Sequence, residues 1–177
     1  MDKNILLMID IQEKLVNAVF NNECLTKKAE ILSKASKILN IPVVITEQYP
    51  KGLGKTISEI SNNIDLNSKI FEKSCFNALN EQDLYEYFKS LNTKNIILCG
   101  IETHICVYQT AKALIECGYS VTIVKDACGS RKEDEFLSAL DNLRDIGCEI
   151  KTTEMVLFEL LQSAKHPYFK EIQALIK

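Results

Sequence analysis

Cys106 has the sequence surroundings of a reactive cysteine. It follows a predicted strand, Gly100 and a short turn, and a predicted helix begins near it. The free N–H groups and the dipole at a helix start favour a thiolate, which predicts a lowered pKa and a nucleophilic sulfur. The same N–H groups can stabilise an oxyanion. The alternative is a cysteine packed between a helix and the sheet, and position alone does not decide between the two.

Two charged residues, Asp10 and Lys73, have apolar neighbours in the sequence. Asp10 follows the run NILLMI, and a buried carboxylate must be paired or functional. It is therefore either a functional group, or a structural residue that caps the next helix or pairs with a lysine. Lys73 lies within FEKSCF, and a lysine taken alone is usually an exposed surface group. Together with Cys106, however, each comes just after a predicted strand, at the edge of a sheet where sites form.

The elements that must position these residues alternate along the chain. Apolar runs and helical periodicity predict six short strands separated by amphipathic helices, with a loop over 46–55 that contains Pro50. This alternation predicts an α/β fold, a three-layer α/β/α arrangement with a six-stranded, mainly parallel sheet. The predicted strands are 4–9, 43–45, 68–72, 94–100, 119–125 and 148–152, and the predicted helices are 24–39, 56–61, 80–90, 104–117, 131–146, 153–164 and 167–176.

Bulk composition excludes several classes of protein. The 177 residues are 46% hydrophobic and 25% charged with a net charge of −3, which predicts one globular domain over 1–177 and argues against nucleic acid as a partner. There is no apolar run of about 18 residues and no signal-peptide pattern, so we expect no membrane partner and a cytoplasmic location. Seven cysteines without a CxxC pair, and only two histidines, argue against a zinc site.

Three ordered segments carry a resemblance to a known family. They contain Asp10, Lys73 and Cys106, and the chain resembles the isochorismatase-like cysteine hydrolases, more narrowly the isochorismatase-domain-containing proteins. The resemblance extends over nearly the whole chain. The three signature segments are 7–12 (LMIDIQ), 71–73 (FEK) and 99–107 (CGIETHICV), and the further shared segments are 46–54, 124–131 and 166–172.

The resemblance implies a catalytic triad. Cys106 would attack a carbonyl carbon, Asp10 would take its proton, and Lys73 would orient Asp10 and stabilise the thiolate. The oxyanion would be bound by the backbone N–H groups of Cys106 and Glu102. The resemblance also implies a cis peptide bond between Ile101 and Glu102, which would turn both N–H groups towards one oxygen.

Two departures from the family pattern change these expectations. Metal-dependent members carry an Asp-x-His pair after the second strand, where this chain has TEQY, so we expect no metal and no other cofactor. Position 102 is a glutamate where amidases often have a small residue. Its carboxylate either faces the substrate or is turned away and bound to a backbone N–H group, and we favour the second arrangement.

Further residues are candidates for the substrate pocket because they follow the first two strands. These are Gln12, Glu47 and Tyr49, for which ordinary loop packing is an equal alternative. His104 precedes Cys106 by two positions, and residues so spaced at a helix start point in different directions. We therefore expect an outward or interface histidine there, not a partner of the cysteine.

We predict hydrolysis of a C–N bond in a small amide or carbamoyl compound through a covalent cysteine intermediate. Vinyl-ether hydrolysis of the isochorismatase type, a binding or scaffold protein that retains the fold, and a redox role for the thiol are the alternatives. The resemblance implies a homo-oligomer. Apolar residues late in the chain, such as Phe158 and Leu161, could contact a neighbouring copy or cover the chain's own sheet.

Overall fold

A computed structural model describes residues 4–65, 68–91 and 93–177. Within those ranges six strands form one sheet, and every pairing between neighbours is parallel. The strand order is β3-β2-β1-β4-β5-β6. The strands are β1 (Asn4–Ile9), β2 (Val43–Gln48), β3 (Lys69–Lys73), β4 (Asn95–Ile101), β5 (Ser120–Gly129) and β6 (Glu149–Lys151).

Helices cover both faces of the sheet and complete the predicted three-layer α/β/α arrangement. On one side α2 packs against α8 and α9, and on the other α6 packs against α7. A 3₁₀ turn covers Ala78–Asn80 and a π-helical turn covers Thr103–Val107. The α-helices are α1 (Glu13–Val16), α2 (Asn22–Leu39), α3 (Pro50–Leu53), α4 (Ser58–Ser61), α5 (Gln82–Ser90), α6 (Tyr108–Glu116), α7 (Glu133–Asp145), α8 (Thr153–Leu161) and α9 (Phe169–Ile176).

The central position of β1 follows from its composition. Residues 5–9 are buried, because β2 and β4 lie on either side of the strand and helices cover both of its faces. A strand that is apolar on both faces is typical of the middle of a parallel sheet. The strand order reverses between β1 and β4, so the carboxyl ends of these two strands border the crevice in which such folds bind ligands.

Two predicted boundaries were wrong for identifiable reasons. The segment predicted as a loop over 46–55 contains the end of β2 and the single-turn helix α3, which Pro50 begins with a φ suited to the first helical position. β5 runs four residues beyond its predicted end at 125. A register shift opposite Leu98 and Gly100 lets it pair again with β4 as far as Gly129.

None of the helices in the described part of the chain is both long enough and apolar enough to cross a membrane.

Gly100 allows β4 to lie against β1 beside the crevice. Its φ is +140°, and a Cβ atom there would lie 2.1 Å from the carbonyl oxygen of Ile9. We expect Gly100→Ala to lower the free energy of unfolding by more than about 3 kcal/mol, because both the φ and the contact with main-chain atoms oppose a side chain. Urea denaturation measures this change.

Gly118 provides the matched control. Its φ is +80°, but a Cβ atom there would have no neighbour within 4 Å. Gly118→Ala should therefore lower the free energy of unfolding by only about 1–2 kcal/mol, the cost of a side chain at a positive φ. Equal losses in the two variants would show that the close approach of β4 to β1 does not depend on Gly100.

Candidate active site

Asp10 leaves the strand pattern at the end of β1. Its φ is +51°, in the left-handed region that aspartate tolerates better than most residues, and its N–H donates to the carbonyl of Thr46 at 3.1 Å. The carboxylate is fully buried, and its Oδ1 accepts a hydrogen bond from the Thr46 hydroxyl at 2.7 Å. The turn after β1 thus brings a carboxylate below the surface of the crevice.

Lys73, the last residue of β3, lies against that carboxylate. Its Nζ is 2.7 Å from Asp10 Oδ2, and both side chains are 0% exposed. The ammonium also donates to Gln48 Oε1 at 2.6 Å and to the Cys75 carbonyl at 3.1 Å. Burial of a charged pair is costly unless further hydrogen bonds accompany it, and here the Thr46 hydroxyl, Gln48 Oε1 and the Cys75 carbonyl make such bonds.

Cys106 completes the cluster. It lies in the π-helical turn between β4 and α6, and its Sγ is 3.6 Å from Lys73 Nζ. The carboxylate of Asp10 interacts with the same thiol through its charge and a hydrogen bond. The structure therefore brings together three residues that lie 63 and 33 positions apart in the sequence.

The ionisation of Cys106 differs from the expectation based on a helix start. Burial, and next the charge of Asp10, raise the pKa of the thiol to about 12, and the ammonium of Lys73 opposes this only in part. The prediction of a lowered pKa was wrong chiefly because the thiol is buried, and the nearby Asp10 carboxylate adds to the effect of burial. A thiolate would leave a net negative charge in a buried site. The resting cluster thus contains a neutral thiol beside a paired carboxylate.

Gln12 and Glu47 are engaged with the loop that follows β2. The Gln12 amide donates to the carbonyls of Gln48 and Gly54 at 3.0 and 2.7 Å and accepts from the Gln48 N–H at 2.7 Å. Glu47 Oε1 accepts from the N–H and hydroxyl of Thr56 at 2.8 and 2.9 Å. These contacts match the loop-packing alternative for both residues.

The pKa of Glu47 reflects this engagement. Burial by itself would raise the pKa of the carboxyl, but the hydrogen bonds from Thr56 and the neighbouring Lys55 outweigh it, so the pKa is lowered. Lys55 Nζ lies 3.1 Å from Glu47 Oε2. Glu47 therefore links β2 to the segment that precedes α4 through hydrogen bonds and an ion pair.

Tyr49 differs from the other two pocket candidates. Its N–H donates to the carbonyl of Lys73 at 3.0 Å, which fixes its backbone beside the cluster, while the residue as a whole is 63% exposed. Phe76 is also exposed and follows Cys75, whose carbonyl accepts from Lys73. Two aromatic rings are thus attached to the loops that surround the cluster.

Glu102 follows β4 and has a cis peptide bond to Ile101. Its Oε1 accepts from the backbone N–H of Arg131 at 3.0 Å and from Arg131 Nε at 2.9 Å. The carboxylate is therefore bound to a backbone N–H group, as the favoured alternative predicts. The guanidinium of Arg131 is a partner that the sequence did not indicate.

His104 contacts a serine. Its Nδ1 lies 2.9 Å from Ser130 Oγ. The expectation that it is not the partner of Cys106 agrees with this contact.

The sequence placed Thr46 and Gln48 at the carboxyl end of the second strand but did not single them out as site residues, although they contact Asp10 and Lys73 directly. Alternate residues of a strand point to the same face, so positions 46 and 48 share one face of β2 and position 47 lies on the other. The sequence reveals that alternate residues of β2 share a face, but it does not reveal which of the two faces contacts Asp10. We considered Glu47, which lies on the opposite face.

In the described residues, no group of three or more His, Cys, Asp or Glu side chains is arranged to bind a metal ion.

Comparison with known proteins identifies the family of this chain. The family model described as the isochorismatase domain matches residues 4–155. Isochorismatase domain-containing protein 2 of Danio rerio is 42% identical over 174 residues, 98% of this chain and 86% of the relative. Isochorismatase family protein 1A of Dictyostelium discoideum is 36% identical over 172 residues, 96% of this chain and 84% of the relative.

A solved structure described as the MAR1 ribonuclease of Caenorhabditis elegans superposes with a TM-score of 0.94 at 34% identity. The match covers 99% of this chain and 90% of that one. The span matched by the family model includes Asp10, Lys73 and Cys106. The chain therefore belongs to the isochorismatase family of hydrolases.

Proposed function

We propose that this protein hydrolyses a C–N bond in a small amide or carbamoyl compound through a covalent intermediate on Cys106. The observation that carries the proposal is the buried cluster in which Asp10 and Lys73 are paired at 2.7 Å and the thiol lies 3.6 Å from the same ammonium. A nucleophile, a base beside it and a group that orients the base are the parts that covalent catalysis requires.

Asp10 acts first, as the base. Because the thiol is neutral at rest, the Cys106 proton passes to the carboxylate as the S–C bond forms, and the carbonyl electron pair moves onto oxygen. Lys73 keeps the carboxylate in place and faces the sulfur as its charge develops. The backbone N–H groups of Glu102 and Cys106 are the proposed donors to the oxyanion.

Asp10 then acts as an acid and again as a base. It returns the proton to the leaving nitrogen as the C–N bond breaks, which leaves a thioester on Cys106 and releases ammonia or an amine. A water molecule next transfers a proton to Asp10 and attacks the thioester, and the sulfur leaves and is reprotonated. The sum is an amide and water converted to an acid and ammonia or an amine.

Other chemistries are distinguished by their products. A vinyl-ether hydrolysis would release no ammonia and need not form a thioester. The name of the C. elegans relative raises RNA cleavage, for which paired charges are a poor fit because phosphate recognition uses available cations. In this chain Lys73 is ion-paired with Asp10, and Arg131 with Glu102.

Several broader predictions belong to the proposal. They are one domain over 1–177, Tyr49 at the substrate pocket, a homo-oligomeric assembly and a cytoplasmic location. The location needs a direct measurement, because one relative, from Phytophthora sojae, is named a secreted isochorismatase effector. That relative is 37% identical over 181 residues, 98% of this chain and 84% of its own length.

A screen of amides and carbamoyl compounds for ammonia release tests the reaction itself. Cys106→Ala should lower kcat by at least about a thousandfold, because it removes the nucleophile. Intact-mass spectrometry should detect an acyl adduct on the wild-type protein. Cys117→Ala, which removes an exposed thiol just after α6, should retain full activity. An amidase activity that survives in Cys106→Ala would refute the assignment.

The pH dependence of alkylation tests the neutral thiol. Only the thiolate reacts, so with a pKa of about 12 the rate of iodoacetamide labelling at Cys106 should keep rising about tenfold per pH unit from pH 7 to 10. Asp10→Asn removes a negative charge that raises this pKa and leaves Lys73 to pair with the thiolate. Labelling at pH 7.5 should therefore become at least about tenfold faster, while hydrolysis is lost.

Circular dichroism serves as the control for folding of Asp10→Asn, because breaking a buried ion pair can cost about 3–5 kcal/mol. Slower labelling of the folded Asp10→Asn variant would mean that the carboxylate does not hold the thiol neutral.

The absence of a metal requirement is a separate prediction. Activity should survive prolonged EDTA treatment, since the proposed steps use only a thiol, a carboxylate and an ammonium. Metal analysis of the purified protein should give well under one equivalent. A stoichiometric transition metal whose removal abolishes turnover would contradict the mechanism.

A further inference from the structure

A second charged pair includes Glu102, on the segment between β4 and the nucleophile, and the proposed mechanism does not use the charges of this pair. Glu102 Oε1 accepts from both the backbone N–H and the Nε of Arg131, at 3.0 and 2.9 Å. The carboxylate side chain is 12% exposed, whereas the Arg131 side chain is 62% exposed. A largely covered carboxylate therefore holds an arginine whose other guanidinium nitrogens extend towards solvent.

The pair is anchored to the turn that carries Cys106. The carbonyl of Glu102 accepts from the N–H groups of Ile105 and Val107, the two residues on either side of the nucleophile. Arg131 follows β5, whose last residue, Gly129, pairs with Ile101 at the end of β4. Both residues thus lie at the carboxyl edge of the sheet, on the segments that follow β4 and β5, and the first of these segments also carries Cys106.

The pair cancels a charge that would otherwise act on the substrate. An arginine at the mouth of a site attracts carboxylates, because its guanidinium binds them in a planar, bidentate geometry. Here Glu102 neutralises the guanidinium, just as Asp10 neutralises Lys73 deeper in the site. The four charged groups therefore sum to zero. The nearby His104 is directed to the hydroxyl of Ser130.

We propose that Glu102 determines the charge preference of the site, so that it accepts small amides without net charge and disfavours anionic ones. The identification of the substrates as amides rests on the proposed function. The charge preference does not, because it concerns any molecule that approaches Cys106. Glu102 acts here through Arg131, as a specificity-determining residue. Its side chain needs no contact with the reacting atoms.

Two alkylating reagents of similar size measure this preference without any hydrolysis. Iodoacetamide is neutral and iodoacetate is anionic, and both react with the Cys106 thiolate. Because each rate depends on the same thiolate population, the ratio of the two rate constants cancels any change in the pKa of the thiol. The ratio of iodoacetate to iodoacetamide reactivity at low ionic strength therefore reports the electrostatic potential at the sulfur.

Glu102→Gln is the main variant, since the amide oxygen can still accept from the Arg131 N–H. We expect the ratio at Cys106 to rise about threefold to tenfold, and the rise to shrink in about 0.5 M salt. Arg131→Gln, which leaves the carboxylate unpaired, should lower the ratio. Glu171→Gln, with the same change in net charge on α9, should leave it unchanged, as should measurement at Cys117 in every variant.

An unchanged ratio in Glu102→Gln, or the same rise in Glu171→Gln, would overturn the charge-preference proposal. The outcome is separable from the proposed function. If the ratio shifts as expected but no amide or carbamoyl compound is hydrolysed, only the proposed reaction fails. If hydrolysis is found, kcat/KM for succinamate relative to butyramide should rise in Glu102→Gln by a similar factor, and no rise would overturn the charge preference alone.

Discussion

The contact between Lys73 and Asp10 is the constraint on which the arrangement of the site depends. Removing two charges from water costs several kcal/mol for each ion, and their attraction offsets this only with good geometry and additional hydrogen bonds. Thr46, Gln48 and the Cys75 carbonyl supply those hydrogen bonds. The loops after β1, β2 and β3 must therefore hold fixed positions, and the Gln12 side chain, which binds both backbone groups of Gln48, helps to hold the second of them.

The charges around Cys106 contribute, together with burial, to the pKa of its thiol. Burial and the charge of Asp10 raise the pKa of the Cys106 thiol, and the Lys73 ammonium, which is already paired with Asp10, opposes this only in part. Glu102 and Arg131 form a second pair of opposite charges at the carboxyl edge of the sheet. The proposed preference for uncharged substrates depends on this balance of charge.

The fold followed closely from local patterns, because each strand and helix has a period that its neighbours in sequence reveal. The apolar run of β1 predicted a central strand, and helical spacing predicted α2 and α7 to within two residues at either end. The predictions that were wrong concerned features that depend on contacts between distant segments. The extension of β5 to Gly129 depends on a register shift against β4, and no property of the segment 126–129 alone indicates it.

For the candidate site, the sequence by itself indicated Asp10, Lys73 and Cys106, through their common place near the ends of predicted strands and through the family resemblance. The tertiary structure decided what surrounds them. It decided which face of β2 meets Asp10, so that Thr46 and Gln48 contact the ion pair and Glu47 does not. It also decided the direction of the Cys106 pKa and the pairing of Glu102 with Arg131. Burial and net charge within a few ångströms control these properties, and both depend on residues that are distant in the sequence.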